Sequence, residues 1–295
     1  RCGSDGRAAA VPFLEQAVKL YPNYAKAYAA LATAYSTMAF HAEGPPAELA
    51  AKARQAAGRA LALDRSSAES YVALAVLAYS RDHDWRLADS LFHEALRASP
   101  NYARAHTAYG LALMSRGRSD QAIEHMRTAR DLDPLSSLAG NDLAVVLWSA
   151  HRWSESLDAS RRTLEVQPDF APAYLVRGAC LTAQGDFRGA DAAFEQAARR
   201  LGRISTLLGL WGYSRARAGD RASALAMLQE LGASPEQFPR AVVAAGLGDR
   251  ALALDYLERA FARQETDIVF LAAHPCLDSL RGEPRFRALL GRLGL

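Results

Sequence analysis

Apolar and small residues recur along this chain in blocks that alternate with short polar turns. Within a block they lie three or four residues apart, as at His106, Tyr109, Gly110 and Leu113. This spacing places them on one face of a helix. A polar turn, SRGRSD, separates this block from a second block with the same spacing. The pattern therefore predicts an all-α chain built from pairs of amphipathic helices.

The blocks repeat with a fixed period. Pro100, Pro134, Pro168 and Gly202 are each 34 residues apart, and similar phrases, YPNYAKAY, SPNYARAH and QPDFAPAY, lie at the same point of the period. Proline ends a helix because it lacks the N–H that the next turn needs. One helix pair cannot bury its apolar face alone, so we expect successive pairs to stack into a common core.

This period, with its small, aromatic and proline positions, resembles the tetratricopeptide repeat. The resemblance implies a right-handed α-solenoid of about seven helix pairs with an atypical C-terminal cap. Small residues at Gly110, Ala144 and Gly178 are expected where two helices cross closely. The implied domains are an N-terminal tail (1–10), the solenoid (11–263) and a capping segment (264–295). Within the solenoid, the pairs are expected at about 25–66, 68–101, 103–135, 137–169, 171–203, 205–232 and 236–263.

Two segments resemble a particular group within this family, namely HPCLDSLRGEPRFRALLGRLGL at the C-terminus and the long turn HAEGPPAELA. Both are similar to the C-terminal tetratricopeptide arms of bacterial multidomain regulators, kinases and cyclase-like proteins. The implied function is a non-enzymatic scaffold for protein–protein interactions. It would be the arm of a bacterial regulator or an assembly subunit, and it would bind a peptide or helix of a partner.

In tetratricopeptide arrays, four positions of each first helix line the concave face where partners bind. Tyr79 and Trp148 are expected to be exposed aromatic anchors, and Asn141 is expected to hydrogen-bond a peptide backbone. Val145 and Leu111 have an alternative role in packing against the next repeat. The carboxylate clamp of some family members is absent. The partner-binding candidates are Val72, Val76, Tyr79, Thr107, Leu111, Met114, Asn141, Val145 and Trp148.

Candidate catalytic and metal-binding patterns are absent from the sequence. The seven histidines are scattered, and none forms HExxH or another zinc spacing. The chain contains no P-loop, GxGxxG or GxSxG. We therefore expect no enzymatic activity, no metal and no cofactor.

Charge gives one local feature. The formal net charge is only +3, which does not favour nucleic acid as a partner. Six arginines cluster late in the chain, and they would form either a dock for an anionic partner or a solvated edge. The cluster comprises Arg199, Arg200, Arg203, Arg215, Arg217 and Arg221.

The three cysteines are too far apart to form a disulfide framework, so a reducing, cytoplasmic location is expected. No apolar run approaches the length of a membrane span. An alternative comes from CGSDGR, which resembles the start of a mature bacterial lipoprotein with Cys2 lipidated. The protein would then be an accessory subunit of a membrane-associated complex, possible also in the periplasm.

Overall fold

The computed structural model describes residues 4–295, with side chains from Ala9 onward, and these residues form helices and no strand. Cys2, on which the lipoprotein alternative rests, lies outside the described residues. A π-helical turn covers Ala78–Asp82, and 3-10 turns cover Leu231–Ala233, Thr266–Ala273 and Pro275–Leu280. The α-helices are α1 (Ser4–Leu20), α2 (Ala25–Phe40), α3 (Pro46–Leu63), α4 (Ala68–Leu77), α5 (Trp85–Ala98), α6 (Ala103–Ser115), α7 (Ser119–Leu132), α8 (Ser137–Ser149), α9 (Trp153–Val166), α10 (Ala171–Gln184), α11 (Phe187–Leu201), α12 (Ser205–Arg217), α13 (Arg221–Glu230), α14 (Phe238–Gly246), α15 (Arg250–Ala262) and α16 (Pro284–Arg292).

The helices follow the predicted period. From α2 to α15 they alternate as seven first and second helices, and each pair lies within its predicted range. The all-α prediction is therefore confirmed. Helix α1 begins at Ser4 and so extends across the domain boundary predicted at residue 11. Alanines at positions 8–10 continue that helix, as expected for the best helix former.

Packing divides the chain into two compact units, one up to residue 112 (with Gly294) and one covering residues 113–293 (with Leu295). The first unit has a core around Leu31, Tyr35, Leu49 and Leu77. The apolar face of α1 covers this core through Val11, Leu14 and Val18. Helix α1 thus covers the apolar face of the first complete pair.

The second unit includes residues 264–293, which were predicted as a separate cap. One of its core clusters surrounds Phe194, which is fully buried next to Leu207, Trp211 and Met227. A Cβ at Gly178 would lie only 2.6 Å from the Phe194 ring, so α10 and α11 can approach this closely only at glycine. The close crossing predicted at Gly178 is confirmed.

The turns inside the pairs have their own local determinants. Asp186 caps α11 by accepting a hydrogen bond from the N–H of Gly189 at 2.9 Å. Aspartates cap α5, α13 and α15 in the same way. Gly185, directly before Asp186, has a φ of 81°, which glycine adopts without strain. These short sequences fix where the chain reverses between two helices.

Candidate functional site

The second unit contains an apolar pocket with a volume of about 240 Å³. Its walls come from the first helices of four successive pairs, α8, α10, α12 and α14, and from the segment after α15. Equivalent helices therefore present their faces to one shared space. The lining residues are Asn141, Val145, Trp148, Pro172, Leu175, Val176, Ala179, Thr206, Gly209, Leu210, Phe238, Pro239, Val242, Asp267, Phe270 and His274.

A close approach of α12 and α14 forms one wall of the pocket. A Cβ at Gly209 would lie 3.0 Å from the Cα of Pro239, which is backbone and cannot rotate away. One turn further along, a Cβ at Gly212 would lie 2.8 Å from a methyl group of Val243. Glycine at these two positions lets the helices touch along their backbones, and this contact fixes the position of Phe238 and Pro239 at the pocket.

The segment after α15 closes the pocket with His274. The His274 ring stands edge-on to Trp148 of α8, with ring centroids 5.0 Å apart and an angle of 90°. It also meets Phe238 of α14 at 5.4 Å and 72°. Such edge-to-face contacts are favoured because the positive edge of one ring meets the negative face of another. Two helices and the closing segment are thereby held together by three rings.

Two buried polar atoms of the lining have no hydrogen-bond partner, namely Oδ1 of Asn141 and Nδ1 of His274. Asn141 is 6% exposed, and its Oδ1 atom is an acceptor that no donor of the protein reaches. Loss of hydration, followed by repulsion from Arg281, lowers the pKa of His274 to about 3, so the ring is neutral at physiological pH.

Acidic side chains lie at the edge of the pocket. The Glu265 carboxylate accepts hydrogen bonds from the N–H groups of Gln237 (2.8 and 2.9 Å) and Phe238 (2.9 Å), and so caps the start of α14. Asp267 is exposed, yet it lies within the pocket wall. Its carboxylate interacts electrostatically with those of Glu236 and Glu265. At neutral pH this edge is therefore negatively charged.

The neutral state of His274 predicts an acid-sensitive fold. The folded pKa lies below the ordinary value, so the stability present above about pH 6.5 is lost as the pH falls towards 3. Between pH 7.5 and pH 5 the free energy of unfolding of the wild type should fall. In His274→Phe, which keeps an aromatic ring between Trp148 and Phe238, we expect this fall to be smaller by about 1–2 kcal/mol. Urea denaturation at both pH values measures this difference. An equal loss in both proteins would contradict it.

Three of the predicted partner-binding residues, Asn141, Val145 and Trp148, meet in the pocket. Trp148 is 8% exposed, so it forms part of the wall and does not project as an exposed anchor. The prediction of an exposed aromatic at Tyr79 is wrong. This ring is 1% exposed and packs among Phe40, Trp85 and Phe92, with centroids 6.0–6.4 Å away.

The remaining candidates do not line this pocket. Val72 and Met114 are buried, at 3% and 4% exposure, and so are unavailable to a partner. Val76, Thr107 and Leu111 are partly exposed on α4 and α6. The first unit has a hollow of its own, whose lining includes Lys26, Glu69 and Arg104 from α2, α4 and α6. Unlike the pocket of the second unit, this hollow has four charged residues in its lining, namely Lys26, Asp64, Glu69 and Arg104.

The predicted arginine cluster is not a set of free cations, because the fold brings acids to it. Arg203 forms a paired contact with Glu230 at 2.8 Å, and Arg215 lies 3.0 Å from Asp191 and 3.3 Å from Asp220. Arg199 is 3.9 Å from Glu195, while Arg200 bonds Gln196 and covers the Tyr174 ring. Arg217 and Arg221 are exposed. Acidic side chains thus lie against three of the six arginines, which lowers the positive charge that an anionic partner would meet.

The candidates predicted from the sequence include only three of the sixteen residues that line the pocket. Thr206 and Gly209 occupy the second and fifth positions of α12, so the same register extended by one pair would have found them. Phe270 and His274 lie in 3-10 turns and their junction, where no helical period exists. No signal in the sequence placed this segment against α8.

Within residues 4–295, no group of three or more His, Cys, Asp or Glu side chains is arranged to hold a metal ion. In the same part of the chain, no helix is both long and apolar enough to cross a membrane. Cys180 and Cys276 are buried free thiols.

Comparisons with known proteins match part of the repeat region to a family. Residues 76–137 and 141–205 match the family model described as "Tetratricopeptide repeat". The Hsp70-Hsp90 organizing protein of Triticum aestivum is 35% identical over 89 residues, which cover 30% of this chain and 15% of that protein. The chain thus matches only a small part of that relative's length.

Solved structures share the fold at low sequence identity. Cut9–Hcn1, described as an APC/C hetero-tetramer, is similar with a TM-score of 0.66 and 13% identity, covering 97% of this chain and 52% of that one. A tetratricopeptide repeat protein from Parabacteroides merdae is similar with a TM-score of 0.60 and 12% identity, covering 84% and 93%. At these identities the likeness concerns the fold alone.

Proposed function

We propose that this chain, whose residues 76–137 and 141–205 match the tetratricopeptide-repeat family, is a scaffold for protein–protein interactions that holds a peptide or helix of a partner in the pocket of its second unit. The observation that carries this proposal is the convergence of four first helices on one apolar space. In solenoids, partners bind along the surface that successive repeats build together. The family is generally non-catalytic, and we propose that this chain has no enzymatic activity of its own.

The character of the lining supports a peptide as the occupant. Apolar side chains such as Val145, Leu175 and Val242 provide burial for a partner's side chain. A few polar groups among them, Asn141 and His274, have unused hydrogen-bonding capacity. Pockets that are mostly apolar with a few fixed polar groups are typical binding sites, since the polar groups determine orientation.

A matched pair of variants tests this proposal. Val145→Glu introduces a charge into the apolar lining, and we expect it to weaken binding of peptides selected from a random library by at least about tenfold. Leu138→Glu lies on the same helix, is 60% exposed and is not part of the lining, so its affinity should match the wild type. Fluorescence anisotropy measures the affinities, and circular dichroism verifies the fold. Equal binding by Val145→Glu and the wild type would place the peptide site elsewhere.

The scaffold fits two settings within this proposal, the arm of a larger bacterial regulator or a subunit of an assembly, both in the cytoplasm. The intact mass of the native protein distinguishes them. A mass far above 31.9 kDa supports the arm, and a mass near this value with co-purifying proteins supports the subunit.

A further inference from the structure

The pocket contains a hydrogen-bond acceptor that the protein does not use. The Oδ1 atom of Asn141 has no partner, although the side chain is 6% exposed and lines the pocket. Leaving such an atom unsatisfied is unfavourable for folding. The two amide hydrogens do not relieve this, because they are donors of the same side chain and cannot bond its own oxygen. A ligand that donates one hydrogen bond inside an apolar space would satisfy this oxygen.

The size and walls of the pocket select the kind of ligand. A cavity of about 150 Å³ holds benzene, and this pocket, at about 240 Å³, has room for a larger ring. Trp148, Phe238 and His274 form an aromatic wall with ring edges and faces that suit a further ring. An indole combines these features, since it is a bicyclic apolar ring with a single N–H donor and no acceptor.

We propose that the pocket receives the indole ring of a tryptophan in the partner's peptide, with the indole N–H donating to Oδ1 of Asn141. This inference rests on the proposed function and names the side chain that anchors the partner. Tryptophan is the residue most enriched among those that dominate binding energy at interfaces, because one side chain buries a large area and still uses its donor. The main chain of the same peptide fits the free Nδ1 of His274.

Charge indicates the residues beside this tryptophan. Asp267 carries the only charge among the residues of the lining, and its side chain is exposed. Glu236 and Glu265 act on it from the adjoining turn. A lysine or arginine next to the tryptophan would lie against this negative edge. The partner segment is therefore a basic peptide with a tryptophan.

A small probe tests the ring and its donor without the peptide. 5-Fluoroindole is observed by fluorine NMR, so the protein's own tryptophans do not interfere. We expect it to bind the full chain at least about tenfold more tightly than 1-methyl-5-fluoroindole, which has the same ring but no N–H. Equal affinities for the two probes would overturn the assignment of Asn141 as the acceptor.

Two variants locate the probe. Asn141→Leu keeps the side-chain size but lacks the acceptor, and the preference for 5-fluoroindole over its methyl analogue should fall to about twofold or less. Val145→Phe fills the pocket from α8 and should abolish the binding of both probes. Unchanged binding in both variants would show that the ring binds outside this pocket, which overturns the inference.

Competition with peptides shows whether the natural ligand is a tryptophan side chain or a free indole compound. A capped Lys-Trp-Lys peptide should displace 5-fluoroindole, a Lys-Ala-Lys peptide should not, and Asp267→Asn should weaken only the peptide. Failure of the tryptophan peptide to displace the bound probe would overturn the docking inference and indicate a small-molecule site. If library peptides bind in a Val145-dependent way without tryptophan, the inference fails and the proposed function stands.

Discussion

Replacing Phe194 by alanine is expected to lower the free energy of unfolding by about 3–5 kcal/mol. The ring projects from α11 and is fully buried against α10 and α12. It stacks on Trp211 of α12 with centroids 6.1 Å apart. The backbone at Gly178 also lies against this ring, so the space left by alanine has a rigid wall that cannot collapse into it. Urea denaturation followed by far-UV circular dichroism measures the loss.

Phe13 provides the matched control for this substitution. It is also a phenylalanine on a helix, but its side chain is 73% exposed. Phe13→Ala should change the free energy of unfolding by no more than about 0.5 kcal/mol. Similar losses in both variants would mean that the burial of Phe194 does not stabilise the second unit as described.

Replacing Gly209 by valine is expected to destabilise the second unit by about 1–3 kcal/mol and to deform the pocket. The first added carbon alone would lie 2.9 Å from Cβ and 3.0 Å from Cα of Pro239, so α14 must move away from α12. Pro239 and Phe238 line the pocket and move with this helix. We therefore expect selected peptides to bind at least about tenfold more weakly to this variant.

Gly58→Ala controls for the change in helix propensity. Gly58 lies in the interior of α3, and a Cβ there would meet no atom within 4 Å. Alanine at this position should stabilise the protein by about 0.5–1 kcal/mol, because it favours the helix without a clash. A stabilised Gly209→Val variant with normal peptide affinity would contradict the close contact between α12 and α14.

The period of the sequence predicted the helix pairs because their determinants are local. Proline after a second helix, an aspartate cap such as Asp186 and a glycine turn such as Gly185 each act within a few residues. The same register placed Asn141, Val145 and Trp148 on one face of α8. The register could not predict how far a side chain is exposed. Tyr79 and Trp148 have similar positions in the repeat, but both are buried by different neighbours and only Trp148 lines the pocket.

The arginine cluster shows the same limit. The sequence near Arg203 and Arg215 contains few acids, yet Glu230 lies 27 residues after Arg203 and forms a paired contact with it. The separation of two residues in sequence does not predict whether they form an ion pair, since helix stacking brings remote side chains close together.

The sequence by itself thus determined the all-α fold, the repeat period and the face of α8 that meets the pocket, because periodicity and capping depend on neighbours three or four residues away. Only the tertiary structure decided that these helices share one pocket. Its other wall requires the backbone contact of Gly209 with Pro239, and its closure requires the segment at Phe270 and His274 to fold back onto α8. Both depend on contacts between residues far apart in the chain, which no local pattern encodes.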